Sequence, residues 1–141
     1  MAIKKKVLTA NLVLLFWFFL DMIGITIKTN ILVTQSYKDD GIFFIISSVS
    51  IILFWKLEKI GKYILTIWLS IWLITQFYFH WFFTIFGPWE GKKAYFADTI
   101  KLISSDTVYI PDLYHIILHL LILVALTFTV LYCYRLKKQK N

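Results

Sequence analysis

The sequence predicts an all-α integral membrane protein. The expected fold is a four-transmembrane-helix bundle, up-down-up-down, with both termini cytoplasmic and a short amphipathic helix in a long outer loop. Three observations lead there. Of 141 residues, 60% are apolar and 16% are charged, whereas a soluble domain carries about 45–50% and about 25%. The apolar residues gather into four runs of transmembrane or near-transmembrane length. The Lys and Arg residues collect on one side of those runs. A chain with so few polar groups cannot cover a water-facing surface, which argues against a soluble enzyme, a nucleic-acid-binding domain or a disordered tail. The single cysteine, Cys133, cannot form an internal disulfide or a CxxC redox pair. Length and composition fit one membrane domain spanning residues 1–141.

The first helix is predicted over residues 7–27, which at 1.5 Å per residue covers about 31 Å, enough for a hydrocarbon core of about 30 Å. Lys4, Lys5 and Lys6 in front of it resemble the basic start of a signal peptide. The run is long for one, and Asp21-Met22-Ile23-Gly24 offers no small-x-small cleavage site, so the helix is expected to be retained. In the connection that follows, Ile31-Leu32-Val33-Thr34 is expected to be extended or interfacial. The second helix is predicted over residues 41–57. Its apolar part, Ile42 to Trp55, is short and needs its flanking residues or a locally thinned bilayer. The brief segment from Lys56 to Lys62, with Gly61 expected to break the helix, predicts a tight antiparallel hairpin between helices two and three.

The third helix, residues 63–86, is rich in Trp, Tyr and Phe, and Gly87-Pro88 ends it because proline cannot continue the backbone ladder. Tyr95, Phe96, Thr99, Ile100 and Ile103 then recur at helical spacing between Lys92, Lys93, Asp98 and Lys101. That pattern predicts an outer interfacial helix over residues 92–103. The fourth helix, residues 111–134, has Pro111 in its first turn and Asp112 beside it, where a carboxylate complements the helix dipole.

Orientation follows from the basic residues. With the N-terminus inside, Lys4, Lys5, Lys6, Lys56, Lys59, Lys62, Arg135, Lys137, Lys138 and Lys140 are cytoplasmic. Only Lys28, Lys38, Lys92, Lys93 and Lys101 are outside, ten against five. Of the acids, Glu58 alone is inside. The positive-inside rule therefore places both termini in the cytoplasm, and the expected location is a bacterial cytoplasmic membrane. The net charge of +7 reads as a topology label rather than as affinity for nucleic acid.

The polar residues inside the runs share one depth. Counted from the expected outer ends of their helices, Asp21, Ser47 and His80 each lie six residues in, about 9 Å at 1.5 Å per residue. His115 and His119 lie about 6 and 12 Å in. On helix four, Asp112-x-x-His115-x-x-x-His119 places all three side chains on one face, and Gln76, His80 and Thr84 form an i, i+4 row on helix three. Facing those rows brings three imidazoles and a carboxylate together, with Asp21 in reach from helix one. The expected site is thus an outward-opening polar chamber built from Asp21, His80, Asp112, His115 and His119, supported by Gln76, Thr84 and Ser47.

Three chemistries compete for it. His80, His115, His119 and Asp112 are a usable ligand set for a transition ion such as Zn²⁺; a haem held by His80 and a histidine of helix four is the narrower version. The second chemistry is binding of a small molecule, including acid–base work on a membrane-soluble substrate. In the third, polar side chains only hold the helices together through hydrogen bonds of about 0.6–2 kcal/mol. The chain would then be a non-enzymatic interaction protein, such as an accessory subunit, an immunity protein or an assembly factor. Besides the lipid bilayer, a membrane-protein partner is expected in that last case. A homo-oligomer is expected for any transport role, because four helices without an internal repeat are few for a transporter.

Overall fold

The computed structural model describes residues 2–138; Lys140, one of the basic residues counted above, lies outside them. Four long helices make the body: α1 (Ala2–Ile23), α2 (Tyr37–Lys56), α3 (Glu58–Phe86) and α5 (Leu113–Lys138). A hairpin of β1 (Ile25–Ile27) and β2 (Asn30–Val33) joins α1 to α2, and the short α4 (Glu90–Tyr95) lies between α3 and α5. The apolar segment expected to be extended is β2. Three of the long helices, α1, α3 and α5, are long and apolar enough to cross a membrane. Helix α2 is 20 residues long, but Lys38, Asp39 and Asp40 fill its first turn and Lys56 its last.

The helices pack as a ring in which α1 and α3 each touch both α2 and α5. Phe18 and Trp72 meet across the middle, with ring centroids 4.7 Å apart. Leu14, Phe54, Leu65, Leu69, Leu118 and Ile122 complete the core. The outer surface is also apolar: Phe16, Ile67, Ile74 and Leu120 are all more than half exposed. Asn11, Asp21, Ser47, Ser50, His80, Asp112, His119 and Thr129 are buried instead. Apolar groups outside and polar groups inside is the arrangement hydrocarbon solvent demands, because polar groups find partners only within the bundle.

Both ends of the ring are pinned. At one, Lys4 Nζ donates to Glu58 Oε2 at 2.6 Å, and the Tyr132 hydroxyl donates to Glu58 Oε1. The starts of α1 and α3 and the end of α5 therefore lie together, so consecutive long helices are antiparallel. Toward the other end, Trp17 Nε1 donates to the Tyr114 carbonyl, the Tyr114 hydroxyl donates to the Trp17 carbonyl, and the two rings stack at 5.5 Å.

Two glycines are needed where they stand. Gly24 ends α1 with φ +71°, where a side chain would be strained and would also press on Gln35. Gly61 does not break the helix, contrary to the sequence expectation. Only Leu57 separates α2 from α3, and Gly61 lies within α3, where a Cβ would overlap the backbone of Leu53 and Phe54. Its role is close approach of two helices.

The outer amphipathic segment also differs from expectation: it is helical only over Glu90–Tyr95. Beyond it the chain leaves the helix to bond the hairpin. Ile31 N donates to the Asp98 carbonyl at 3.0 Å and Ile100 N to the Ile31 carbonyl at 2.9 Å, while Leu113 N donates to the Ile100 carbonyl at 2.9 Å. These bonds satisfy the loop backbone and fix the start of α5 against the hairpin.

Candidate functional site

At the hairpin end, a partly open cavity of about 350 Å³ is bounded by all four long helices together with α4. Asp21 (α1), Asp40 (α2), Gln76 and His80 (α3), Lys92 (α4), Asp112 and His115 all line it. Asp21 is held there by the turn into α2, where Ser36 N donates to the Asp21 carbonyl and Asp40 N donates to the Ser36 carbonyl. The Asp21 and Asp40 side chains thus line the same part of the chamber from α1 and α2.

Asp112 is the N-cap of α5. Its Oδ1 accepts the backbone N–H of His115 at 2.9 Å, the usual bond to the third helical residue, and also the ring Nδ1–H of His115 at 2.7 Å. In a neutral imidazole this leaves the lone pair on Nε2 of His115. Asp112 is 1% exposed, and its Oδ2 has no hydrogen-bond partner among the described residues. A buried carboxylate oxygen without a donor is costly.

The three imidazoles pack closely: His80 lies 4.1 Å from His115 and 5.3 Å from His119 by ring centroids. His80 Nδ1 shares a hydrogen bond of 2.6 Å with the Tyr109 hydroxyl. His119 uses both ring nitrogens. Nδ1 accepts from Trp81 Nε1 at 2.8 Å, so Nε2 carries the proton and donates to Gln76 Oε1 at 3.1 Å. Around the chamber mouth, Lys92 Nζ lies over the rings of Phe83, Tyr109 and Phe79 at 4.7, 5.5 and 5.9 Å. Burial lowers the Lys92 pKa below the usual lysine range. Burial, and then the nearby Asp112, raises the Tyr109 hydroxyl pKa above the usual tyrosine range, so Tyr109 remains a proton donor at ordinary pH.

Of the residues expected at the site, Asp21, His80, Asp112, His115 and Gln76 line the chamber, and His119, Ser47 and Thr84 do not. His119 stands behind His80 and lines an apolar groove of about 300 Å³ with Phe77, Trp81 and Leu120. Ser47 bonds Trp68 Nε1 and the Phe43 carbonyl deeper in the bundle. Because α2 begins at Tyr37, Ser47 is ten residues in, about 15 Å, and Asp40 lines the chamber from α2 in its stead. Thr84 returns its hydroxyl to the His80 carbonyl. The reason is a π-helical stretch over Phe77–Phe82, whose i→i+5 bonding shifts the face of every later residue. Asp40, Lys92, Tyr109 and Trp81 belong to the site or its support without a periodic signal in the sequence; Asp40 reads there as an ordinary acid in the first turn of a helix.

The metal expectation meets a different geometry. Among the described residues, no group of three or more His, Cys, Asp or Glu side chains is arranged to hold a metal ion. Four of the six imidazole nitrogens already have protein partners: Nδ1 of His80, Nδ1 of His115 and both nitrogens of His119. The rings are turned to those partners and not toward a common point. Between His80 and His115, in contact at 4.1 Å, there is no room for a porphyrin plane. The arrangement is suited instead to polar binding and proton transfer, through the Asp112–His115 pair and the donors and acceptors facing the cavity. Comparison with protein families, with characterised proteins and with solved structures gives no match.

Proposed function

We propose that this is an integral membrane protein of four spans with both termini cytoplasmic, and that its chamber, open to the outer side, binds a small polar ligand. The ten-to-five distribution of basic residues supports that orientation. The apolar length of α1, α3 and α5 supports the spans, with α2 completing the ring through charged ends at the two interfaces. One observation carries the ligand reading: buried Asp112 orients His115 through Oδ1 while its Oδ2 meets no donor among the described residues. Most buried polar atoms find a partner; Asn11 Oδ1, deep in the bundle, and Asp112 Oδ2 do not among the described residues, and of the two only Asp112 belongs to a residue that lines the chamber. His115, whose Nδ1 is held by Asp112 so that a neutral ring keeps its lone pair on Nε2, is the group that would take a proton from a bound molecule.

Topology is tested with single cysteines in a Cys133→Ala background. A membrane-impermeant thiol reagent added outside should label Ser36→Cys and leave Lys59→Cys untouched; the opposite pattern overturns the orientation. Ligand binding is tested by melting the purified chain against a library of small polar molecules. The reading requires stabilising compounds whose effect disappears in His115→Ala, and a library without any such compound counts against it.

A further inference from the structure

Resting on the chamber as a ligand site, we infer that its ligand is a small organic ammonium ion. Three carboxyl groups from separate parts of the chain, Asp21, Asp40 and Asp112, line the chamber against a single ammonium, that of Lys92. Lys101 is outside the lining: its Nζ is bound to Thr99 Oγ1 at 3.0 Å and lies over the Phe96 ring. Among the described residues neither Asp21 nor Asp40 forms an ion pair with a lysine, arginine or histidine, and Asp112 Oδ2 is buried without a hydrogen-bond partner. A cation entering here meets three carboxyl groups and supplies the counter-charge that they lack.

The apolar part of the lining points the same way. Phe43, Phe79, Tyr95 and Phe96 supply aromatic faces, and aromatic faces beside carboxylates attract ammonium groups. The chain already uses this attraction at the chamber edge, where Lys92 Nζ rests over three rings. A volume of about 350 Å³ suits a molecule of a few heavy atoms. With Nδ1 bonded to Asp112, a neutral His115 offers Nε2 as an acceptor to the same ligand.

The test is isothermal titration of the full chain in maltoside micelles with choline and with 3,3-dimethylbutan-1-ol, its uncharged isostere. Choline should bind saturably, at least tenfold more tightly than the alcohol, and Asp40→Asn and Asp112→Asn should each weaken it at least tenfold. Asp40→Asn, in the first turn of α2 and only half-buried, guards against a variant that merely fails to fold, and a melting curve on each variant checks this. Equal binding of the alcohol, or choline binding unchanged in both variants, overturns the ammonium inference. If neither probe binds, the ammonium inference falls alone, because the His115-dependent library screen decides the chamber reading separately.

Discussion

Trp81 donates its indole N–H to Nδ1 of His119 at 2.8 Å, and this bond sets the tautomer of an imidazole buried between α3 and α5. The other nitrogen then has to donate, and Gln76 Oε1 accepts. Gln76 lines the polar chamber while His119 and Trp81 line the apolar groove, so the three side chains form the partition between them. Trp81→Phe keeps most of the apolar contact but leaves Nδ1 without a donor. An unsatisfied buried acceptor costs about 1–3 kcal/mol, which should appear as a lowered melting temperature in detergent. Nitrogen NMR of the imidazoles should show His119 protonated at Nε2 in the parent protein and a mixture of tautomers in the variant. A parent spectrum with the proton on Nδ1 would contradict the arrangement.

Gly61 is predicted to be intolerant of any side chain. Its would-be Cβ meets backbone atoms of Leu53 and Phe54, which cannot swing away as a flexible side chain can. With Leu57 as the only residue between the helices, the junction has no slack to absorb the displacement. Gly61→Ala should cost about 1–3 kcal/mol, the range for overpacking a tight contact, and Gly61→Leu should fail to yield folded protein. Gly41 is the control: nothing lies within 4 Å of its would-be Cβ. Gly41→Ala should therefore be neutral or slightly stabilising, since alanine favours a helix over glycine by about 1 kcal/mol.

The sequence discloses what depends on neighbouring residues. Apolar runs announce helices, and Asp112 and His115, three residues apart, meet because a helix start brings such residues together. Two of the remaining errors come from extrapolating a regular helix. Counting 100° per residue through helix three puts Thr84 on the face of Gln76, but the π-helical turn at Phe77–Phe82 changes the phase. Starting α2 at Gly41 puts Ser47 at chamber depth, but the helix begins at Tyr37 and Asp40 takes that place. His119 is a third kind of miss: it is on the expected helix but turned to Trp81 and Gln76 by hydrogen bonds no spacing encodes. Tyr109 reaches His80 from a loop whose path depends on backbone bonds to β2. Neither propensity nor periodicity records such a path.

At the opposite end of the bundle, Lys4 and Glu58 form an ion pair at 2.6 Å that ties the start of α1 to the start of α3. Its side chains are 27% and 36% exposed, so solvent and headgroups screen it. A double-mutant cycle with Lys4→Ala and Glu58→Ala should give a coupling of only about 0.2–1 kcal/mol, shrinking as salt is added. Tyr132 also donates to Glu58, so Glu58→Ala alone should cost more than Lys4→Ala. Equal effects of the two single variants would mean that the tyrosine contributes nothing to holding α5 there.

Asp112 has a structural and a functional part to play, and two substitutions separate them. Oδ1 caps α5 through the His115 N–H, a task asparagine performs about as well as aspartate. Oδ2 is buried without a hydrogen-bond partner among the described residues, and an amide there offers no negative charge to the chamber that Asp112 lines. Asp112→Asn should therefore melt close to the parent protein, and Asp112→Ala should lose about 1 kcal/mol with the cap. Binding in the chamber should fall in both variants alike. Thermal melting and ligand titration run on the same preparations check this. If binding tracks stability instead, surviving in Asp112→Asn and failing only in Asp112→Ala, Asp112 is a helix cap and no more.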